Sequence, residues 1–445
     1  MKKSYEMDMC HGPILGKLLL FTLPLMLSGI LQLLFNAADI IVVGKFAGSH
    51  ALAAVGSTNA LINLFVNVFI GFSISANVMV GQYFGAKDAK NVHETIHTAI
   101  LLAAIGGVIL IAVGFLFSRP ILVWMDTPAD VIDHSVLYIQ IYFLGMPAML
   151  VYNFGSAILR AIGDTRRPLY FLIISGVINV VLNLFFVIVL HLDVAGVAIA
   201  TAISQTVAAI LIVLCLMNSD GMYRLELRKL RIYRSKLIAI MRIGLPAGLQ
   251  GSVFSISNVL IQSSINSFGS IAMAGSTAAG NIEGFIYTAM NAVYQTALSF
   301  VSQNVGGGQK QRIPRITVLC LVTVITIGLV MSNIALIFGE QLLGLYSSDP
   351  EVIQFGLDRL SVIAKLYFLC GVMEIFVGVL RGLGYALMPM IVSLIGACGL
   401  RIVWIFTVFQ WSPTLFTLFL SYPVTWAITL SAHFICLMIV WKKEK

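Results

Sequence analysis

Charge is what this sequence has least of. Of its 445 residues only 10% are Asp, Glu, Lys or Arg, 59% are hydrophobic, and the mean hydropathy is +0.98. That scarcity excludes a soluble globular domain of this length. Cysteine is sparse as well. Cys10, Cys215, Cys320, Cys370, Cys398 and Cys436 are scattered without paired spacing, which excludes a disulfide framework or a cysteine metal cluster and leaves small apolar core residues. A cleavable leader is not expected either. The hydrophilic lead is short, the first apolar run is too long for a signal-peptide core, and no convincing cleavage site follows it.

What fills the chain instead is apolar runs of membrane-spanning length, roughly 20 residues each. Twelve are expected, at 14–43, 52–80, 94–117, 134–158, 168–190, 195–217, 237–266, 272–300, 314–338, 355–380, 386–409 and 414–441. Polar turns such as Gly85-Ala-Lys-Asp and Gly163-Asp-Thr-Arg-Arg-Pro168 separate them. The fold class is therefore an all-α polytopic membrane protein. Its formal charge of +8 is topological and does not point to nucleic acid. Lys and Arg gather in alternate loops, including Lys87 and Lys90; Arg160, Arg166 and Arg167; Arg224 to Arg242; Lys310 to Arg315; and Lys442 and Lys443. The opposite loops hold Lys45, Arg119, Arg359 and Lys365 beside acids such as Asp130, Asp133, Asp349 and Glu351. By the positive-inside rule, both termini are expected in the cytoplasm.

The sequence repeats itself at an offset of 221–222 residues. Pro24 matches Pro246, Thr127-Pro128 matches Asp349-Pro350, and Leu159-Arg160-Ala-Ile-Gly163 matches Leu380-Arg381-Gly-Leu-Gly384. Six spans per half give both halves the same orientation, a parallel repeat. The expected organisation is an N-terminal six-helix lobe over 1–217, a basic cytoplasmic linker over 218–236 and a C-terminal six-helix lobe over 237–445. Two such lobes facing each other across a cleft would suit alternating access.

Within the first span, Ser28, Gln32, Asn36 and Asp39 return to one helix face. Asp39 is the one acid among about twenty-five uncharged residues there. A carboxylate inside a membrane helix costs about 2.5–3.5 kcal/mol on insertion scales, so it needs a partner or a task. Asp39 is the leading candidate for a titratable ion site. The repeat fails at this point: Asp39 projects onto Leu260 or Ile261. Asn179 and Asn183, four apart on the fifth span, project near Leu400 and Trp404, with Arg401 adjacent.

These residues resemble the multidrug and toxic compound extrusion (MATE) family. The supporting motifs are Pro24…Asn36-Ala-Ala-Asp39…Val-Gly44, Gly81-Gln82-Tyr-Phe-Gly85-Ala-Lys, the two Leu-Arg-x-x-Gly…Pro turns and Asn179-Val-Val-Leu-Asn183. The resemblance covers the whole chain and looks nearest to the bacterial branch named for the DNA-damage-inducible protein F. It implies a transporter, not an enzyme, of the bacterial cytoplasmic membrane. Such a transporter exports organic, often cationic or amphipathic compounds in exchange for H⁺ or Na⁺, acts as a monomer and needs no cofactor. Carried over by motif, its ion site becomes Asp39, Asn179, Asn183 and Thr201, with Na⁺ as one possible occupant. Some relatives carry a second acid where Asn183 stands. Others use acids on the seventh helix, where this sequence offers Gln250, Asn258, Gln262 and Asn266 but no carboxylate.

Other polar groups invite assignment. Gln32 and Asn36 on the Asp39 face, Glu283 and Tyr287 in the eighth span and Glu374 in the tenth are candidates for the lining of a substrate cavity. There, acids would neutralise a cation and aromatic rings would add cation–π attraction. Asn59, Asn63 and Asn67 form a stripe on the second span that interhelical hydrogen bonding explains equally well. His93-Glu94-Thr-Ile-His97 spells HExxH, the zinc-protease helix motif. It stands at the start of a span without an evident third ligand. Arg401 reads as the only cation at depth. That favours cationic or neutral substrates over the alternative of a lipid-linked precursor flippase, which would need an Arg- and Lys-rich cavity for pyrophosphate.

Overall fold

The structure, a computed structural model, describes residues 5–125, 127–128 and 130–444. Side chains are described for all of these except 48–50, 52, 53, 56, 57, 59, 60 and 444. Of the second-span stripe, the Asn59 side chain thus lies outside the described residues. Every regular element among the described residues is helical. The first half carries α1 (Ile14–Val42), α2 (Gly48–Gly85), α3 (Ala89–Trp124), α4 (Ile132–Leu144), α5 (Met146–Ala161), α6 (Arg166–Leu184) and α7 (Asp193–Met217). The second carries α8 (Arg234–Asn266), α9 (Ser270–Gly306), α10 (Ile313–Ile337), α11 (Gly339–Gly344), α12 (Pro350–Ile363) and α13 (Phe368–Gly382). It ends with α14 (Leu387–Ser393), α15 (Leu400–Phe406), α16 (Val408–Trp411) and α17 (Leu415–Glu444). Helix is the form such apolar runs take in lipid, because each backbone N–H and C=O is satisfied within its own segment.

Nine helical stretches among the described residues are long and apolar enough to cross a membrane. Two bent pairs bring the number to eleven: α4 with α5, at 47°, and Pro350–Leu366 with α13, at 44°. The bends are repeats of each other, since α5 begins at Met146 and α13 at Phe368, 222 residues on. At the first, Pro147 follows directly and its missing N–H ends the hydrogen-bond ladder of α4. The twelfth expected span, 272–300, lies in α9. That helix has ample length at 37 residues, but its Gly, Ser, Thr and Asn content keeps it below that hydropathy.

The chain folds as two compact units. The first comprises Met1–Cys10, Leu27–Gly248 and Gly306–Gly308; the second comprises His11–Met26, Leu249–Val305 and Gln309–Lys445. The divisions fall inside α1 and α8, each two residues after an interior proline, Pro24 and Pro246. An interior proline removes one backbone hydrogen bond, so both helices change unit beside an interrupted ladder.

In the first unit α5 is packed by α2, α3 and α7, and α6 lies along α7. Small residues set the spacing. Gly71 of α2 faces the backbones of Gly244 and Gly248 so closely that no Cβ would fit, and Gly176 of α6 receives the edge of the Phe35 ring from α1. The segment 218–236 is strapped to this unit. Tyr233 N–H donates to Thr98 Oγ1 (3.1 Å), and the buried Lys236 ammonium donates to Tyr83 Oη (3.2 Å) and Asn91 Oδ1. In the second unit α17 packs on α12 and α13, and α10 on α13. The start of α1 joins it through the Thr22–Thr296 hydroxyl pair (2.8 Å) and the edge-on Phe21–Phe300 contact (5.7 Å).

Candidate functional site

Asp39 sits in the last turn of α1, half-buried. One turn earlier, Phe35 docks into the gap left by Gly176, which draws α1 onto α6. Asn183, two turns beyond Gly176, thereby reaches the carboxylate. Its Nδ2 donates to Asp39 Oδ1 and to Asn179 Oδ1 (3.3 Å), and Asn179 Nδ2 donates to Thr201 Oγ1 of α7 (3.4 Å). The four residues expected from the sequence therefore form one hydrogen-bonded chain across three helices. Both asparagines are buried, and Asn183 Oδ1 is sealed from solvent with no partner among the described residues. A carboxylate linked to amide and hydroxyl side chains supplies oxygen ligands of the kind hard cations take. Both α1 and α6 pass into short π-turns just beyond the cluster, at Val43–Ala47 and Phe185–Val189, a distortion that often accompanies functional sites.

Gln32 and Asn36, on the same face of α1, are exposed and outside this chain. The structure adds Tyr138 and Tyr142 of α4, which lie in electrostatic reach of Asp39. Their i, i+4 spacing within a span was the available signal.

The second unit holds a different set. Glu283 of α9 and Arg359 of α12 form a buried bidentate pair, Nε to Oε1 at 2.9 Å and Nη2 to Oε2 at 2.8 Å, with Arg359 Nη1 donating to Ser276 Oγ at 2.7 Å. This corrects two expectations. Arg359 is not a loop residue, and Glu283 is not an open acid awaiting a cation, because the guanidinium fork already fills its oxygens. Arg381 is buried too, donating to Tyr294 Oη (2.7 Å) and Gln250 Oε1 (2.8 Å). Arg401 is therefore one of three buried arginines among the described residues of this unit. Glu374 is half-buried and holds no hydrogen bond among the described residues. Its field acts on Tyr287, Tyr294, Cys370 and Arg381. Glu374 and the partly exposed Tyr287 remain the open pair of the candidates in this unit.

The MatE family model matches residues 24–185 and, a second time, 246–407. The chain belongs to the MatE family. As a MatE protein it is a membrane transporter, not an enzyme. It is 27% identical to the probable multidrug resistance protein YoeA of Bacillus subtilis, over 96% of this chain and 94% of that protein. With the probable multidrug resistance protein YpnP of the same organism it shares 29% identity, over 90% and 89% of the two chains. Its fold superposes on a multidrug resistance MATE family transporter of the MOP superfamily, solved in an outward-facing conformation. The TM-score is 0.92 at 19% identity, with both chains fully covered. The twelve-helix, duplicated architecture expected from the sequence agrees with that fold.

The HExxH motif of this MatE chain is structural. His97 Nδ1 lies 2.8 Å from the His93 carbonyl, and its Nε2 lies 3.1 Å from the Glu226 N–H and 3.2 Å from the Glu226 carbonyl. Both ring nitrogens are thus occupied, and the His93 ring stacks on His97 at 3.8 Å. Glu226, half-buried on the strap, has its carboxyl held below the usual carboxylate range by the hydrogen bond from Lys229. No group of three metal-ligating side chains occurs among the described residues.

Proposed function

We propose that this protein exports organic, often cationic or amphipathic compounds across the bacterial cytoplasmic membrane in exchange for inward H⁺ or Na⁺. Both termini lie in the cytoplasm, and the transporter works as a monomer through alternating access. The relatives named for multidrug resistance support the substrate class. The observation that carries the coupling reading is the Asp39–Asn183–Asn179–Thr201 chain. A proton or a sodium ion neutralises the Asp39 carboxylate, which removes the penalty of holding a charge in a poorly solvated site. It also changes what Asn183 bonds to, and with it the contact between α1 and α6. Ion and substrate then need only favour different states by a few kcal/mol. One charge moving through 100 mV contributes about 2.3 kcal/mol and a tenfold gradient about 1.4 kcal/mol, enough for roughly 10²–10³-fold export with one or two ions per cycle. Glu374, with Tyr287 beside it, is the substrate-facing acid of this reading.

The test is efflux from proteoliposomes under an imposed ΔpH or ΔNa⁺. Wild type should export an organic cation under one of the two gradients, and Asp39→Asn should lose the gradient dependence while folding normally. Undiminished gradient-driven efflux by folded Asp39→Asn would remove Asp39 from the coupling.

A further inference from the structure

We propose that the second unit carries an anion site at Arg401, the charge-inverted counterpart of the Asp39 cluster. The two segments matched by the family model begin at 24 and 246 and end at 185 and 407, an offset of 222 at both ends. Carried along the helices, that offset places Asn36 on Asn258, Asp39 on Ile261 and Asn179 on Arg401, while the 221-residue offset of the Leu-Arg-x-x-Gly turns places Asn179 on Leu400, directly beside Arg401. The same three helices of the repeat, α8, α15 and α17 in place of α1, α6 and α7, therefore meet around a guanidinium where the first unit has its amides, and an aliphatic side chain stands where the first unit has its acid. A π-turn, Leu394–Gly399, again adjoins the cluster, this time just before it.

Arg401 is only 2% exposed, and among the described residues no carboxylate pairs with it. Nε meets Thr425 Oγ1 and Nη1 meets Asn258 Oδ1, both neutral acceptors and both at 3.4 Å. Two ring faces also line it, Tyr422 at 4.3 Å and Trp426 at 6.0 Å, and the neutral thiols of Cys370 and Cys398 lie within reach of its field. Arg359 shows what a completed site looks like in the same bundle. It shares the Tyr422 ring at 5.8 Å, yet holds a carboxylate and a hydroxyl at 2.7–2.9 Å. Glu283 is consumed by that pair, and the hydrogen bonds of Arg401 go to Thr425 and Asn258, not to Glu374. A buried guanidinium without a counter-charge is costly and marks a site by default. Asn258 gives access, because this acceptor on α8 is itself exposed. The guanidinium fork, small neutral neighbours and one open side suit a monovalent anion: a halide, or a carboxylate gripped in bidentate fashion.

The test is anion binding to the purified full-length protein in lipid nanodiscs, without gradient or drug. The unfolding temperature, followed by tryptophan fluorescence, is titrated with sodium chloride and separately with sodium acetate, with sulfate holding ionic strength constant. Wild type should show a saturable rise of about 3 °C or more. Arg401→Gln should lose it, and Arg401→Lys, which keeps the charge without the fork, should weaken the midpoint at least about tenfold. Should Arg401→Gln not fold, Arg401→Lys and bromide quenching of Trp426, compared with Trp426→Phe, carry the same decision. A response to chloride alone assigns an inorganic anion, and a response to acetate as well assigns a carboxylate such as a substrate would bring. No saturable response in wild type, or a response unchanged by either substitution at Arg401, overturns the site. Because no gradient enters, the result is independent of whether Asp39 couples export.

Discussion

Asn183 does two jobs with one amide nitrogen, bonding Asp39 on one helix and Asn179 on its own. What lets it do so is a residue with no side chain. A methyl group at Gly176 would collide with the Phe35 ring, pushing α1 off α6 with Asp39 itself untouched. Gly176→Ala is therefore expected to lower stability by about 1–3 kcal/mol, as overpacking does, and to reduce gradient-driven efflux to near the level of Asp39→Asn. Thermal unfolding and proteoliposome flux on the same preparation check both halves of that statement.

The acids of the second unit separate by the same reasoning. Glu283→Gln strands the buried Arg359 charge and should cost about 3–5 kcal/mol, whereas the double substitution with Arg359→Met should recover most of it. Glu374→Gln breaks no hydrogen bond and should leave the unfolding temperature nearly unchanged while lowering export of organic cations severalfold. The sequence could not rank these two acids. The partner that neutralises Glu283 stands 76 residues away, at the edge of a span where position alone assigns a solvated end. Asp39, by contrast, is legible, because its isolation and its helical face are properties of nearby letters and its missing twin follows from the 221–222-residue repeat.

At the scale of elements, the basic stretch between the halves changes character. As sequence it reads as a polar connection, but as structure it is a strap. Backbone groups at Glu226 and Tyr233 and the ammonium of Lys236 bond to α2 and α3 of the first unit. These contacts reach side chains 129–153 residues back in the chain, which no periodicity encodes. Removing two anchors, with His97→Ala and Thr98→Val, should speed amide exchange over 224–236 by about tenfold or more, in line with the loss of roughly 1 kcal/mol per hydrogen bond. Exchange in α10 should be unaffected. Hydrogen–deuterium exchange read by mass spectrometry resolves both segments.

At the scale of the molecule, hydropathy and the 221–222-residue repeat carried most of the architecture, because lipid allows an apolar run little choice but helix. What they did not carry is where the compact units divide. The repeat marks the halves by ancestry of sequence. Packing divides α1 and α8 beside Pro24 and Pro246 instead, so that His11–Met26 belongs with residues from the far half of the chain. The same duplication kept the helices and let the polar positions diverge, giving an acid with amides in one unit and an arginine among neutral groups in the other.

The division of α1 also has a consequence for how the protein is made. Thr22 leaves the ribosome early, yet the hydroxyl it bonds to belongs to Thr296, 274 residues later. The opening segment of the second unit, His11–Met26, is thus made before Leu27–Gly248 of the first unit, and Thr22 waits for its hydroxyl partner until α9 arrives. The order of insertion and the order of assembly differ in this chain. Its slow step in biogenesis is expected at that late closure, where a separation of 274 residues is drawn shut.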